Sequence, residues 1–342
     1  MSHDRVRLIE GGGGRAMRRL VEEVFVGSLG GPATKQGDIG LREMDDGAAI
    51  RVGDRWLVVT TDSHVVQPIF FPGGDIGRLA VCGTVNDLAM MGATEPVALT
   101  LGVILEDGFA RADLERVRDS IVAACAEAGA PIVTGDTKVM GKGEIDGIVM
   151  NSAGVGFADR VISDAGLRVG DKLIVTGTIG DHGFAVMTVR HALQIEGALA
   201  SDVAPINGLV RAAMLAGGAD LVAMKDPTRG GLASALHEMA AKAKVGIVRE
   251  ELAVPITEEV RAASELLGID PLHVANEGKA VIGVRPEAAE RVLAALRAHP
   301  FGRNAAVVGT VVAERPGSII LQTGFGRRLL SELEGEPLPR IC

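Results

Sequence analysis

Tyrosine is absent from this chain, tryptophan occurs only at Trp56, and aromatics make up 3% of its 342 residues. Base-stacking surfaces need aromatic rings, and a net charge of −9 repels a phosphate backbone. Both argue against nucleic acid as a partner. Cysteine is equally sparse. Cys82, Cys125 and Cys342 show no metal-type spacing and, being three, cannot all pair. A reducing cytoplasm is the expected setting. No apolar run reaches membrane-spanning length. The opening MSHDRVRLIEGGGGR holds no apolar signal segment. Two nucleotide signatures are missing as well. There is no G-x-x-x-x-G-K-[ST], and no G-x-G-x-x-G follows a strand. A nucleotide site here would be neither of the P-loop nor of the dinucleotide type.

What is plentiful is glycine, at 46 residues, which suits a chain of many tight turns. The length suits about two domains, each with its own core. Leu114, Val117, Ile121, Cys125 and Ala128 recur at helical spacing, which predicts a helix over 111–128 and a core position for Cys125. Further helices are expected at 16–26, 77–91, 183–195, 206–217, 230–243, 257–267 and 286–298. Apolar and β-branched runs predict strands at 55–61, ending at Asp62, and at 97–105, 131–134, 145–156, 171–177, 281–285, 306–312 and 318–322. Strands and helices mix out of strict βαβ order, so the expected class is α+β with layered sheets. The expected division is a Gly-rich segment with a short helix (1–44), a first domain (45–158), a second domain (159–333) and a tail (334–342).

The tail ends in Pro339-Arg340-Ile341-Cys342. A polar stretch with Pro337 and Pro339 predicts an extended arm. A terminal thiol on such an arm can travel, unless it is merely an exposed thiol. It is not a prenylation signal, which needs the cysteine fourth from the end.

The aspartates are the second feature. Asp46 lies in MDDGAAI, Asp62 in VVTTDSH, Asp87 in GTVNDLAMMGA and Asp136 in IVTGDTKV. Carboxylates gathered from separate segments suit Mg²⁺, which takes oxygen ligands and bridges to phosphate. Each taken alone also suits a cap or a turn. Three glycine stretches could cradle phosphate: Gly11 to Gly14, PGGDIG and TRGG. Each alone is as good a turn. Lys138 could bind phosphate or act as a base, and Glu277 could be buried enough to be one. Taken alone, each reads first as an ordinary surface ion pair. His64 and His182 make no protease-like spacing with a cysteine.

TTDSHVVQPIFFPGGDIGRLAVCGTVNDLAMMGA (61–93), GDTKVM, GDHG, KDPTRGG, ANEGK and the final PRIC together resemble the HypE family of [NiFe]-hydrogenase maturation factors. The similarity runs nearly end to end. That family is similar in turn to aminoimidazole ribonucleotide (AIR) synthetase, selenophosphate synthetase and thiamine-monophosphate kinase, which lack PRIC. The resemblance implies a two-domain AIR-synthetase (PurM)-like fold and a homodimer joined through the first-domain sheets. It implies that HypF carbamoylates the terminal thiol and that the thiocarbamate is dehydrated with ATP to a thiocyanate. The cyano group then passes to iron on the HypC–HypD complex. Carried over to this chain, Asp46, Asp62 and Asp87 would hold Mg²⁺ and ATP, with Asp136, Asp226 and Gly11, Gly12, Gly13 and Gly14 about the nucleotide. Lys138 and Glu277 would position and deprotonate the carbamoyl nitrogen, Arg340 would seat the tail, and Cys342 would carry the group. Two other readings remain: a related ATP-dependent enzyme acting on a free small molecule, and a non-catalytic thiol carrier.

Overall fold

The computed structural model describes residues 5–29, 38–193, 195, 197–335 and 340–342. The first segment forms α1 (Gly14–Val21), widens into a π turn over Glu22–Val26 and ends as α2 (Gly27–Leu29). β1 (Ala48–Val52) and β2 (Arg55–His64) make a hairpin. A small ribbon, β3 (Phe70–Phe71) and β4 (Gly74–Asp75), leads into α3 (Ile76–Met90). Asp75 caps α3 by accepting from the backbone N–H of Gly77 and of Arg78. β5 (Pro96–Glu106), α4 (Arg111–Ala128), β6 (Ile132–Met140) and β7 (Ile148–Ala158) complete the first sheet.

Its strand order is β1-β2-β7-β5-β6, and β5 and β6 run parallel because α4 carries the chain back between them. α4 stops on Gly129 in the left-handed region, φ 66°. The helical spacing therefore located α4 to the residue, and Cys125 is half-buried against the core. α3 lies between the sheet and α4 and is buried on almost every side, so its apolar residues form no single stripe.

The second half contains β8 (Lys172–Val175), α5 (Asp181–Arg190), α6 (Asn207–Gly217), β9 (Leu221–Lys225), α7 (Gly231–Ala243) and β10 (Gly246–Glu250). α8 (Glu258–Leu267), β11 (Val281–Val284), α9 (Ala289–Ala298), β12 (Ala306–Val312), β13 (Ile319–Thr323) and β14 (Gly326–Leu330) follow. The seven strands are ordered β14-β13-β10-β12-β8-β11-β9. Leu173, Val175 and Val281 join Leu232, Leu236 and Met239 of α7 in one core. Ile174 and Ile282 face the other way, with Leu209 and Val210 of α6 and Val292 and Leu296 of α9. A strand buried on both faces reads as an unbroken apolar run, which is why β8 was legible.

Leu173→Ala removes a fully buried side chain from the centre of that sheet. It is expected to destabilise the protein by about 2–5 kcal/mol, read as a lower urea midpoint at unchanged slope.

Four five-residue strands, β1, β9, β10 and β14, were not expected. Runs so short carry no resolvable period, and their ladder partners supply the order. β2 also runs past the expected end. Asp62 is inside it, paired with Ser152 of β7, and the strand closes at His64.

Candidate active site

The cleft is built around the end of β2. Asp62 and His64 leave that strand toward α3, where Gly83 lies opposite. A Cβ on Gly83 would come within 3.1 Å of both the Asp62 Oδ2 and the His64 ring. One turn further along α3, the half-buried Asp87 accepts a 2.8 Å hydrogen bond from the Thr60 hydroxyl. Asp46 arrives from the loop before β1, and Asp226 from the end of β9. Burial holds the Asp87 carboxyl well above the usual carboxylate range, and the charges of Asp226, Asp62 and Asp46 raise it further. Burial first, and then Asp46, push Asp226 up to about 7.

Acids that raise one another's proton affinity form a site short of positive charge, as a hard cation and its phosphate ligands require. No three carboxylates, histidines or cysteines among the described residues converge into a closed metal cage. The donor set thus fits Mg²⁺ that takes its remaining ligands from nucleotide and water. Asp62 is the accessible member, with its side chain 27% exposed.

The cation already present at Asp46 is Lys225, whose Nζ lies 2.7 Å from Oδ1 of Asp46 and 3.2 Å from Glu238. Glu238 continues to Arg18 of α1 at 3.0 Å, and Arg18 to Glu332 at 2.6 Å. This chain of charges ties the N-terminal helix to the acidic loop. Gly13 and Gly14, at φ 91° and 70°, start α1 and lie on the loop before α7, where a Cβ on Gly13 would meet the Cβ of Arg229 at 2.8 Å. The glycine run is therefore at the cleft. Gly11 and Gly12 precede it in the turn after Leu8–Glu10.

Glu277 forms the far wall and is 4% exposed. Its Oε1 has no hydrogen-bond partner among the described residues. Burial raises its carboxyl well above the ordinary glutamate value, with Asp62, Asp226 and Asp202 adding to the rise. Its backbone is fixed from both sides: Asn86 of α3 donates to the Glu277 carbonyl at 3.0 Å, and the Glu277 N–H donates to Asp202.

The chain terminus is seated in this cleft. Val65 N–H donates to the Cys342 carbonyl at 3.2 Å and Gln67 N–H to the Arg340 carbonyl at 3.1 Å, an extended pairing just beyond β2. Ile341 is 2% exposed, and its carbonyl lies 2.8 Å from Nε2 of His182. Burial keeps that ring's pKa below the usual histidine value, favouring the neutral ring whose N–H donates to the carbonyl. Arg340 pairs with Asp146 and donates to the Val65 carbonyl at 3.2 Å. At the root of the tail, Ala16 N–H donates to the Glu334 carbonyl at 2.7 Å. The expected arm thus has a tied root and a docked tip. Pro337 and Pro339 lie outside the described residues.

Asp136 and Lys138 are placed elsewhere. They form a 2.9 Å ion pair on β6, with side chains 70% and 67% exposed. β6 is the outer strand of its sheet, and its residues 133–139 are exposed on both faces rather than turned into the cleft of the same chain. The cleft contains groups that sequence reasoning passed over. Lys225 and Arg229 flank Asp226 within KDPTRGG, a motif read only for its aspartate and glycines.

Comparison with known proteins identifies the family and the fold. Residues 44–158 match the AIR synthase related protein N-terminal domain, and residues 168–322 the corresponding C-terminal domain. The carbamoyl dehydratase HypE of Rhizobium leguminosarum bv. viciae is 47% identical, over 100% of this chain and 96% of that protein. A crystal structure of a HypE–HypF complex aligns at TM-score 0.85 and 41% identity, covering 92% of this chain and 99% of that one. One of HypE in complex with ATP aligns at TM-score 0.81 and 41% identity, covering 99% and 100%.

Proposed function

The chain belongs to the HypE family of AIR-synthase-related proteins, and from that premise we infer that it is an ATP-dependent carbamoyl dehydratase. Its substrate is a carbamoyl group carried on its own Cys342. The observation that carries this reading is the docking of the terminus just beyond the end of β2, three residues from Asp62: Val65 N–H donates to the Cys342 carbonyl, the Ile341 side chain is buried, and its carbonyl meets His182. An enzyme acting on a free small molecule has no need to fill its own cleft with its terminus.

An amide oxygen is a poor leaving group, and phosphorylation makes it a good one. The carbamoyl oxygen bonds to the terminal phosphorus of ATP, and ADP departs with the electrons of the broken bond. The nitrogen then loses two protons, one to Glu277 and one to the departing phosphate, as the C–O bond breaks and C≡N forms. Glu277 suits this step because a base works best when its pKa lies near the working pH. Bound Mg²⁺ supplies positive charge to the phosphate oxygens. Asp46, Asp62 and Asp87 are the residues that would hold it, and Asp226 supports them. Gly11 to Gly14 would lie over the phosphates; the Gly11 N–H donates to the Leu8 carbonyl at 3.0 Å and the Gly13 N–H to the Met17 sulfur at 3.2 Å, bonds that phosphate would have to replace. Arg340 seats the tail. His182, at the Ile341 carbonyl, helps to keep it dry.

HypF is the expected carbamoyl donor and the HypC–HypD complex the cyanide acceptor, in the cytoplasm. β6 presents an unpaired outer edge with Val133 and Val139 exposed, a surface that a second copy would cover. Such a homodimer would bring Asp136 and Lys138 of one subunit toward the nucleotide side of the other.

The test is mass spectrometry of the C-terminal peptide of carbamoylated protein after Mg²⁺ and ATP are added. Loss of one water, with one ADP formed per chain, is expected. An unchanged peptide mass would sink the reading. Asp62→Asn is expected to weaken binding of Mg²⁺ with ATP by tenfold or more, by removing an accessible carboxylate of the set, and titration calorimetry measures it.

A further inference from the structure

Arg229 is a cation in the cleft to which no role has yet been given. It sits in the loop between β9 and α7, three residues after Asp226. The glycine run packs on its Cβ, which fixes where the side chain leaves the backbone. Arg229 is exposed, so its guanidinium reaches water.

The other cations about the cleft are engaged. Lys225 binds Asp46 and Glu238, Arg18 binds Glu238 and Glu332, Lys242 binds Asp45 and Asp164, and Arg340 binds Asp146. No described residue accepts a hydrogen bond from Arg229. It nevertheless lies in the combined field of Cys342, Asp62, Glu277 and Asp87, with Cys342 the strongest.

A guanidinium kept for stability takes a carboxylate in bidentate fashion when one is in reach. Arg229 has several acids around it and takes none. With donors open, cysteine on one side and the acid set on the other, it fits an anion that arrives between them. On the dehydratase reading above, on which this inference rests, that anion is the phosphoryl group in transit. We propose that Arg229 is a catalytic residue, whose guanidinium donates hydrogen bonds to the non-bridging phosphoryl oxygens as the group passes from ATP to the carbamoyl oxygen on Cys342. The same contacts hold the group when the C–O bond breaks and phosphate leaves with its electron pair. Negative charge sits on those oxygens in both steps, so one fixed fork serves both.

The experiment compares full-length wild type with Arg229→Ala and Arg229→Lys. Alanine keeps the Cβ on which Gly13 rests, and thermal melting checks that each variant folds. Three quantities are read: the single-turnover rate of water loss from the C-terminal peptide, affinity for the β,γ-methylene analogue of ATP, and the pH midpoint of Cys342 alkylation without nucleotide. Arg229→Ala is expected to slow water loss by about 10²–10³-fold and to change analogue affinity less than about tenfold. Millimolar guanidinium should restore part of the rate. Lysine should be intermediate, having the charge without the fork. The alkylation midpoint should rise in Arg229→Ala, because a nearby cation favours the thiolate. Arg229→Ala at the wild-type rate overturns the proposal while leaving the dehydratase reading intact. So does a slow variant whose rate guanidinium does not restore. If wild type itself loses no water, the dehydratase reading fails, and the alkylation arm still decides whether Arg229 faces Cys342: an unmoved midpoint overturns that juxtaposition.

Discussion

Cys342→Ala is expected to abolish ATP-dependent water loss altogether while leaving affinity for Mg²⁺ with ATP within a few-fold of wild type. The expectation follows from how the tip is held. Its anchors are the Ile341 side chain, the Ile341 carbonyl at His182, and the backbone pairing of residues 340 and 342 with 65 and 67. None of these needs the sulfur, so alanine leaves the tail docked. The acids belong to β2, α3, the residue after β9 and the loop before β1, and are held by their own elements. What alanine removes is the atom to which the substrate is covalently bound. Calorimetry with the non-hydrolysable analogue and mass spectrometry after incubation with the carbamoyl donor together check both halves. Retained water loss in the variant would mean that another residue carries the group. Deleting Ile341 and Cys342 is a harsher change, because it also strips the buried anchor from the cleft.

Glu277→Gln is expected to slow water loss by about 10²–10⁴-fold with the carbamoyl group still loaded on Cys342. Glutamine preserves shape and cannot accept the nitrogen proton. Since burial and three neighbouring acids raise the Glu277 pKa, the wild-type rate should have a limb set by that group. The active form is the deprotonated one, so the rate rises with pH through the raised pKa and then levels. Glu277→Gln should lose that limb as well as the rate. Because the side chain leaves an oxygen without a partner, the variant should fold at least as stably as wild type, which separates loss of chemistry from loss of structure. A profile of unchanged shape in the variant would assign the limb to another group.

The fold was legible wherever a segment was long or buried on both faces. α4 shows its period over eighteen residues, and β8 its unbroken apolar run. β9 and β10 were not legible, since LVAMK and GIVRE are as compatible with a turn of helix as with a strand. Their conformation comes from ladder partners: β9 pairs with β11 alone, β10 with β12 and β13. The site divides in the same way. Asp62 and Asp87 announce themselves as carboxylates set in apolar sequence, and Cys342 by its position. Nothing local tells Asp136 from Asp62, since both lie in apolar strands. The difference is that β2 is an inner strand covered by α3, whereas β6 is the outer edge.

Sequence alone determined the chemical inventory of this protein: a terminal thiol, a set of acids in separate segments, glycines where backbone must approach closely, and the family these motifs resemble. Those properties belong to single residues and their neighbours. Only the tertiary structure decided that the end of β2 faces α3 at Gly83, that the tip of the tail pairs with the backbone just beyond that strand, and that Asp136 and Lys138 lie on an outer strand instead. Proton affinity and charge pairing depend on burial and on distances between residues far apart in the chain, and those distances exist only once the two sheets and their helices have packed.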